Sequence, residues 1–203
     1  MVLVAVTNGK LEEDRLAVVI KEIAPFVDWI ILRENQKTPQ AYLSFVKNLL
    51  ESGVHKQKLC IHNRVDIACL SGINKVHLPE KGLPVRDVKA SFPFLKIGVS
   101  VHSEEAARQA EEQGADYAMF GHIYQTASKE GIAPRGLEEL EKITGRLHIP
   151  VLAIGGITPE RVSRLYEKGA SGAAVMSGIF NEDDPFKAFH IYRKEELLYG
   201  QPL

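Results

Sequence analysis

The sequence predicts a single-domain α/β fold, a (β/α)8 barrel of the TIM type spanning residues 1–203. Three observations carry that reading. Eight short apolar runs alternate with amphipathic stretches along the chain, the pattern of a parallel sheet wrapped by helices. An open doubly wound sheet usually has fewer strands and a phosphate loop after the first, and Thr7-Asn8-Gly9 is a poor one. Finally, the stretch from Val151 to Phe180 spells out a complete unit: apolar run, Gly155-Gly156, amphipathic helix, second apolar run, Ser177-Gly178.

Taken in order, Val2–Val6 reads as a buried strand, turned by Thr7-Asn8-Gly9 into a helix near Glu12–Ile23. Trp29–Leu32 is the second strand, ending on Arg33-Glu34-Asn35. Thr38-Pro39 opens a helix that runs to about Glu51 and stops at Gly53. Lys58–Ile61 is the third strand, followed by His62-Asn63-Arg64 and a short helix around Val65, Ile67, Ala68 and Leu70. Val76–Leu78 is a short fourth strand with Pro79–Gly82 after it. Lys96–Ser100 is the fifth, and a helix capped near Ser103 follows it to Gly114. Tyr117–Phe120 is the sixth, a long loop covers Gly121–Arg135, and Gly136–Ile143 is helical. Val151–Ile154 and Gly172–Met176 complete the barrel. Between them Thr158 is expected to cap a helix carrying Val162, Leu165 and Tyr166 inward, ended by Gly169. A final helix runs through Phe186–Glu195, whose Phe186, Phe189 and Tyr192 serve either an interface or docking on the barrel.

Composition narrows the function classes. With 25 Lys and Arg against 26 Asp and Glu, the net charge of −1 offers no basic footprint for nucleic acid. No run approaches the length of a membrane span. The N-terminus enters a strand pattern without a basic leader, so a cytoplasmic protein is expected. Cys60 and Cys69 have neither metal nor redox spacing and read as reduced core residues.

In such a barrel the chemistry sits at the C-terminal ends of the strands. Reading those ends gives Arg33, His62-Asn63, His77, Ser100-Val101-His102, His122, Gly155-Gly156 and Ser177-Gly178. Arg33 is a fork for carboxylate or phosphate, with an ion pair to Glu34 or another rim acid as the alternative. His62 and His77 read as strand-end hydrogen-bonding groups, and His102 as a helix N-cap. His122 stands apart. It begins the longest loop, which carries Tyr124, Thr126, Ser128 and Lys129, a mixture suited to closing over an anion, and imidazole exchanges protons near neutral pH. Gly155, Gly156, Ser177 and Gly178 offer bare backbone where barrels of this type commonly hold phosphate.

Gly98-Val-Ser-Val-His102, Gly114-Ala-Asp-Tyr117, the Gly121–Lys129 loop and Val151–Ile179, with Leu32-Arg-Glu34 and Asn63-Arg-Val-Asp66, together resemble the thiamin phosphate synthase superfamily. The similarity covers nearly the whole chain. It implies a (β/α)8 barrel, a thiazole phosphate held on the backbone of Gly155-Gly156 and Ser177-Gly178, and a homodimer. The departures are specific. The synthase pattern has Arg-Glu-Lys after strand two, where Asn35 stands here, and Asn-Asp where His62 and Asn63 stand. Its Gly-Gln-x-Asp turn is replaced by Leu78-Pro-Glu-Lys81, and its Gly-Pro-Ile-Phe-x-Thr loop by Gly121-His-Ile-Tyr-Gln-Thr126. Ligands for Mg²⁺ and pyrophosphate are lost and a titratable histidine is gained. That combination resembles the TenI, or thiazole tautomerase, branch. The resemblance implies a cofactor-independent isomerase of thiamin biosynthesis, with no metal. His122 would be catalytic, and Arg33, Ser100, Thr126, Ser128, Lys129 and the two phosphate turns would hold a small-molecule thiazole phosphate. A phosphate-binding synthase and a non-catalytic sensor remain the alternatives.

Overall fold

The computed structural model describes residues 2–199. The strands β1 (Val2–Val6), β2 (Trp29–Leu32), β3 (Leu59–His62), β4 (Lys75–Leu78), β5 (Lys96–Val101), β6 (Tyr117–Gly121), β7 (Val151–Ile154) and β8 (Gly172–Val175) pair in sequence order. All neighbours are parallel, and β8 closes on β1 with Val4 opposite Ala174. Between them run α1 (Glu13–Ile23), α2 (Pro39–Glu51), α3 (Val65–Ser71), α4 (Val85–Ser91), α5 (Glu104–Glu112), α6 (Gly136–Thr144) and α7 (Val162–Glu167); α8 (Ser177–Phe180) and α9 (Pro185–Tyr199) follow β8.

Alternation along each strand divides the core in two. Val4, Val6, Ile31, Cys60, Met119, Leu152 and Ala174 fill the lumen. Leu3, Ala5, Ile30, Leu32, Ile61 and Phe120 belong to the shell between barrel and helices. Leu16, Val19, Ile20 and Ile23 supply one buried stripe of α1 at helical spacing. Each such fully buried aliphatic side chain contributes about 1.5–3 kcal/mol. The same parity sends Arg33, His62, His77 and Ser100 toward the lumen and its mouth, because each lies an even number of positions from a lumen residue of its own strand or is flanked by shell residues.

Caps follow the chemistry of the residues available. Thr38 accepts from Ala41 N–H, and Ser103 from Ala106 N–H. Thr158 makes no such cap: the chain enters α7 through a 3-10 turn at Pro159–Arg161 instead. Helix α4, not singled out in the sequence, packs through Val85 and Val88. Ser177-Gly178 is not a free turn but the start of α8. On α9, Phe189 and Tyr192 are buried against the barrel, which assigns them to docking. No helix among the described residues is long and apolar enough to cross a membrane. Cys60 is a buried free thiol in the lumen, and Cys69 is free and only partly buried.

Candidate active site

A cavity of about 670 Å³ opens at the C-terminal ends of the strands. Arg33, Ser100, His122, Thr126, Ser128, Lys129, Gly155, Gly156, Ser177 and Gly178 all line it, together with His62, His77 and His102. Residues scattered from the second strand to the eighth thus share one space.

On the β2 side, Thr7 is the hub. Its hydroxyl accepts from Arg33 N–H at 2.7 Å and donates to Glu34 Oε1 at 2.6 Å. Glu34 is buried, and its other oxygen accepts from Gln36 Nε2. Glu34 is therefore engaged elsewhere, and the alternative of an Arg33–Glu34 ion pair is not what forms. Among the described residues, the Arg33 guanidinium has no hydrogen-bond or ion-pair partner.

His62 Nδ1 lies 3.2 Å from Asn35 Oδ1. Burial, and then the nearby Arg33 charge, push its pKa down to about 4, so the imidazole is neutral at pH 7. Below it, His77 is 2% exposed and held between Tyr117 Oη at 3.0 Å and Ser100 Oγ at 2.8 Å. Burial first, and His62 second, push His77 down to about 3. Its two hydrogen-bond partners lie inside the lumen rather than at the rim. His102 is not an N-cap, since Ser103 takes that role. Its N–H and Nδ1 instead meet the same oxygen of Glu80, at 2.7 and 2.9 Å.

His122 is 5% exposed, and the Gly121–His122 peptide is cis. The chain beyond β6 keeps pairing with the β7 turn: Ile123 N–H donates to Ile154 O and Tyr124 N–H to Gly155 O. The far end of the loop returns through Arg135 N–H to His122 O. His122 Nε2 lies 3.3 Å from Ile132 O. A carbonyl can only accept, so that contact places a proton on Nε2, and in the neutral ring Nδ1 is then the nitrogen with the free lone pair.

The glycines beside it have a reason the sequence concealed. Gly155 and Gly156 have φ of +98° and +65°, and added β-carbons would strike His122 and the Tyr124–Gln125 backbone respectively. At Gly178 a β-carbon would stand 2.2 Å from Tyr192 Oη. Close packing of neighbouring chain, rather than ligand approach, is the steric demand visible at all three. Tyr192 also donates to Ile157 O at 2.9 Å, so one side chain of α9 braces both turns. Arg161 braces the same region by donating to Gly156 O and covering the Tyr124 ring. Neither residue stood out in the sequence, because their partners are known only once the chain is folded.

A cavity at the barrel mouth, lined by a neutral histidine pair, an unpaired guanidinium, the Gly155-Gly156 turn after β7 and the start of α8 after β8, is a (β/α)8-barrel site suited to a small anionic molecule. The family model described as thiamine monophosphate synthase, TMP-TENI, matches residues 3–179, and the chain belongs to that family. It is 35% identical over 180 residues to thiamine-phosphate synthase of Clostridium acetobutylicum, covering 87% of this chain and 85% of that one. It is 39% identical over 140 residues to the synthase of Pyrococcus furiosus, covering 68% of each. Among solved structures, thiamine phosphate pyrophosphorylase from Pyrococcus furiosus superposes with a TM-score of 0.82 at 28% identity, covering 98% of this chain and 96% of the other. A 3-hexulose-6-phosphate synthase, with a TM-score of 0.74 at 19% identity over 96% and 99% of the two chains, shares the fold.

Proposed function

We propose that the protein is a thiazole tautomerase, an isomerase that aromatises a carboxylated dihydrothiazole bearing an exocyclic alkene and an ethyl phosphate. The observation that carries this reading is the chemistry of the cavity wall. Its carboxylates among the described residues are Glu34 and Glu80, and both are engaged, by Thr7 and Gln36 and by His102. Asn35, His62 and Asn63 occupy positions where the synthase pattern has a lysine and metal-binding groups. A Mg²⁺-pyrophosphate leaving group is poorly served there, while His122 supplies an acid/base group.

In the reaction, His122 Nδ1 takes the proton from the ring carbon bearing the carboxylate. The electron pair moves through the ring toward the alkene, and a proton is returned to the exocyclic carbon. Nothing is oxidised or reduced, and the atoms balance. The Ile132 carbonyl, accepting from Nε2–H, stabilises the imidazolium formed midway. Arg33 meets the carboxylate, and the Gly155-Gly156 turn after β7 and the start of α8 at Ser177-Gly178 meet the phosphate, which fixes the ring beside the base.

The second reading is a thiamine-phosphate synthase, which the names of the relatives favour. One pair of assays separates the two. The purified protein is given the dihydrothiazole, with aromatisation followed by ultraviolet absorption or NMR. Separately it is given pyrimidine diphosphate, thiazole phosphate and Mg²⁺, with pyrophosphate release followed. Aromatisation without coupling is the expected result. Coupling with kcat of about 1 s⁻¹ or more and no aromatisation would replace the proposal with the synthase reading, and neither activity alongside phosphate binding would favour a sensor.

A further inference from the structure

At the floor of the cavity, three polar side chains are linked through the lumen and play no part in the proton shift described above. Tyr117 Oη meets His77 Nδ1 at 3.0 Å, and His77 Nε2 meets Ser100 Oγ at 2.8 Å. Ser100 lines the cavity. The line is built into the barrel: a β-carbon on Gly98 would fall 1.9 Å from Tyr117 Cζ, so the bare position on β5 is what admits the ring.

The direction of the protons follows from acidity. A phenol, with a pKa near ~10, is a far stronger acid than an aliphatic alcohol, and an imidazole nitrogen is the best acceptor in the line. Tyr117 therefore donates to His77 Nδ1. A neutral imidazole then carries its one proton on Nε2 and donates to Ser100 Oγ. With that lone pair occupied, the Ser100 hydroxyl proton is left to point into the cavity, and bonds aligned in one direction polarise one another.

We propose that Ser100 is a hydrogen-bond donor to the substrate carboxylate, with His77 and Tyr117 as positioning residues that fix the direction of its hydroxyl. The proposal rests on the tautomerase reading. As the ring proton leaves, negative charge spreads onto the carboxylate, so a donor held in place gains strength toward the transition state. Ser100 holds its proton rather than giving it away. Net transfer along the line would end on a buried phenolate, and burial raises Tyr117 well above its usual range.

The first arm of the test uses the full-length protein labelled with ¹⁵N-histidine and no substrate. His77 is expected to be neutral at pH 7 in the Nε2–H tautomer; the Nδ1–H tautomer overturns the proposal whatever the protein catalyses. The second arm is a double-mutant cycle. Ser100→Ala should lower kcat roughly 10–100-fold, from the loss of one hydrogen bond to a charged group, with a smaller change in KM. Tyr117→Phe should lower kcat in the wild-type background and leave it unchanged in Ser100→Ala. Independent, multiplying effects overturn the proposal, because a purely structural Tyr117 would act in both backgrounds. If wild-type protein fails to aromatise the dihydrothiazole, the tautomerase reading falls by itself. The cycle is then read on affinity for the carboxythiazole phosphate, where unchanged binding in Ser100→Ala overturns the donor role.

Discussion

A β-carbon added to Gly155 would stand 2.3 Å from the β-carbon of His122. The β7 turn and the β6 loop are thus packed backbone against side chain, and the position of the proposed base depends on a missing methyl group next door. Gly155 also sits at φ +98°, where L residues are strained. Gly155→Ala should therefore displace His122 as well as cost stability. The expected result is a lower thermal midpoint together with a kcat loss approaching that of removing the imidazole. Wild-type kcat in a folded Gly155→Ala protein would show that His122 does not need this contact.

His122 itself should separate chemistry from binding. Replacement by Ala or Gln removes the titrating group while Arg33 and the two glycine turns remain. Aromatisation should fall by the ~10²–10⁴-fold typical of a positioned acid/base, in kcat more than in KM. Product affinity should stay nearly unchanged. If His122 only braces the loop through Ile132, product affinity and thermal midpoint should fall together, and calorimetry on the same variant distinguishes the cases.

Acid should destabilise the fold through its buried imidazoles. His77 is held down to about 3, and His62 to about 4, against about 6.5 in an unfolded chain. Between those values the unfolded state binds more protons than the folded one, so stability rises with pH and is lost as pH falls from about 6.5 toward 3. His77 alone contributes a slope of at most about 1.4 kcal/mol per pH unit in that window. Urea midpoints measured from pH 7 to pH 4 should fall, and His77→Gln should flatten the decline. An identical slope in the variant would assign the acid sensitivity to other groups.

The barrel was legible because strand parity and helical stripes are local properties of sequence. Val4 and Val6 alternate with Leu3 and Ala5 on β1, and the polar strand ends fall where a barrel places its site. What could not be read depends on pairs far apart in the chain. Gly178 looked like a ligand turn, yet its bareness answers to Tyr192 on α9. Glu34 looked like a partner for Arg33, yet Thr7, on a different strand end, captures it. Helix α4 was easy to miss because Val85 and Val88 give it only one short apolar stripe between Pro84 and Pro93.

Arg33 gives the last prediction. Its backbone N–H is fixed by Thr7, Glu34 is occupied, and the guanidinium faces the cavity without an acidic partner among the described residues. A guanidinium so placed is suited to bidentate contact with a carboxylate. The neutral state of His62 keeps a second positive charge away from it. Arg33→Ala should therefore weaken binding of the carboxythiazole phosphate by roughly 10–100-fold, the loss of a charge-assisted hydrogen-bonded pair. It should leave a thiazole phosphate lacking the carboxylate bound almost as before, because the phosphate turns are untouched. Arg33→Lys should recover only part of the difference, since an ammonium keeps the charge but not the fork. Titration calorimetry on both ligands decides the matter: equal losses for the two would move the Arg33 contact from the carboxylate to the phosphate.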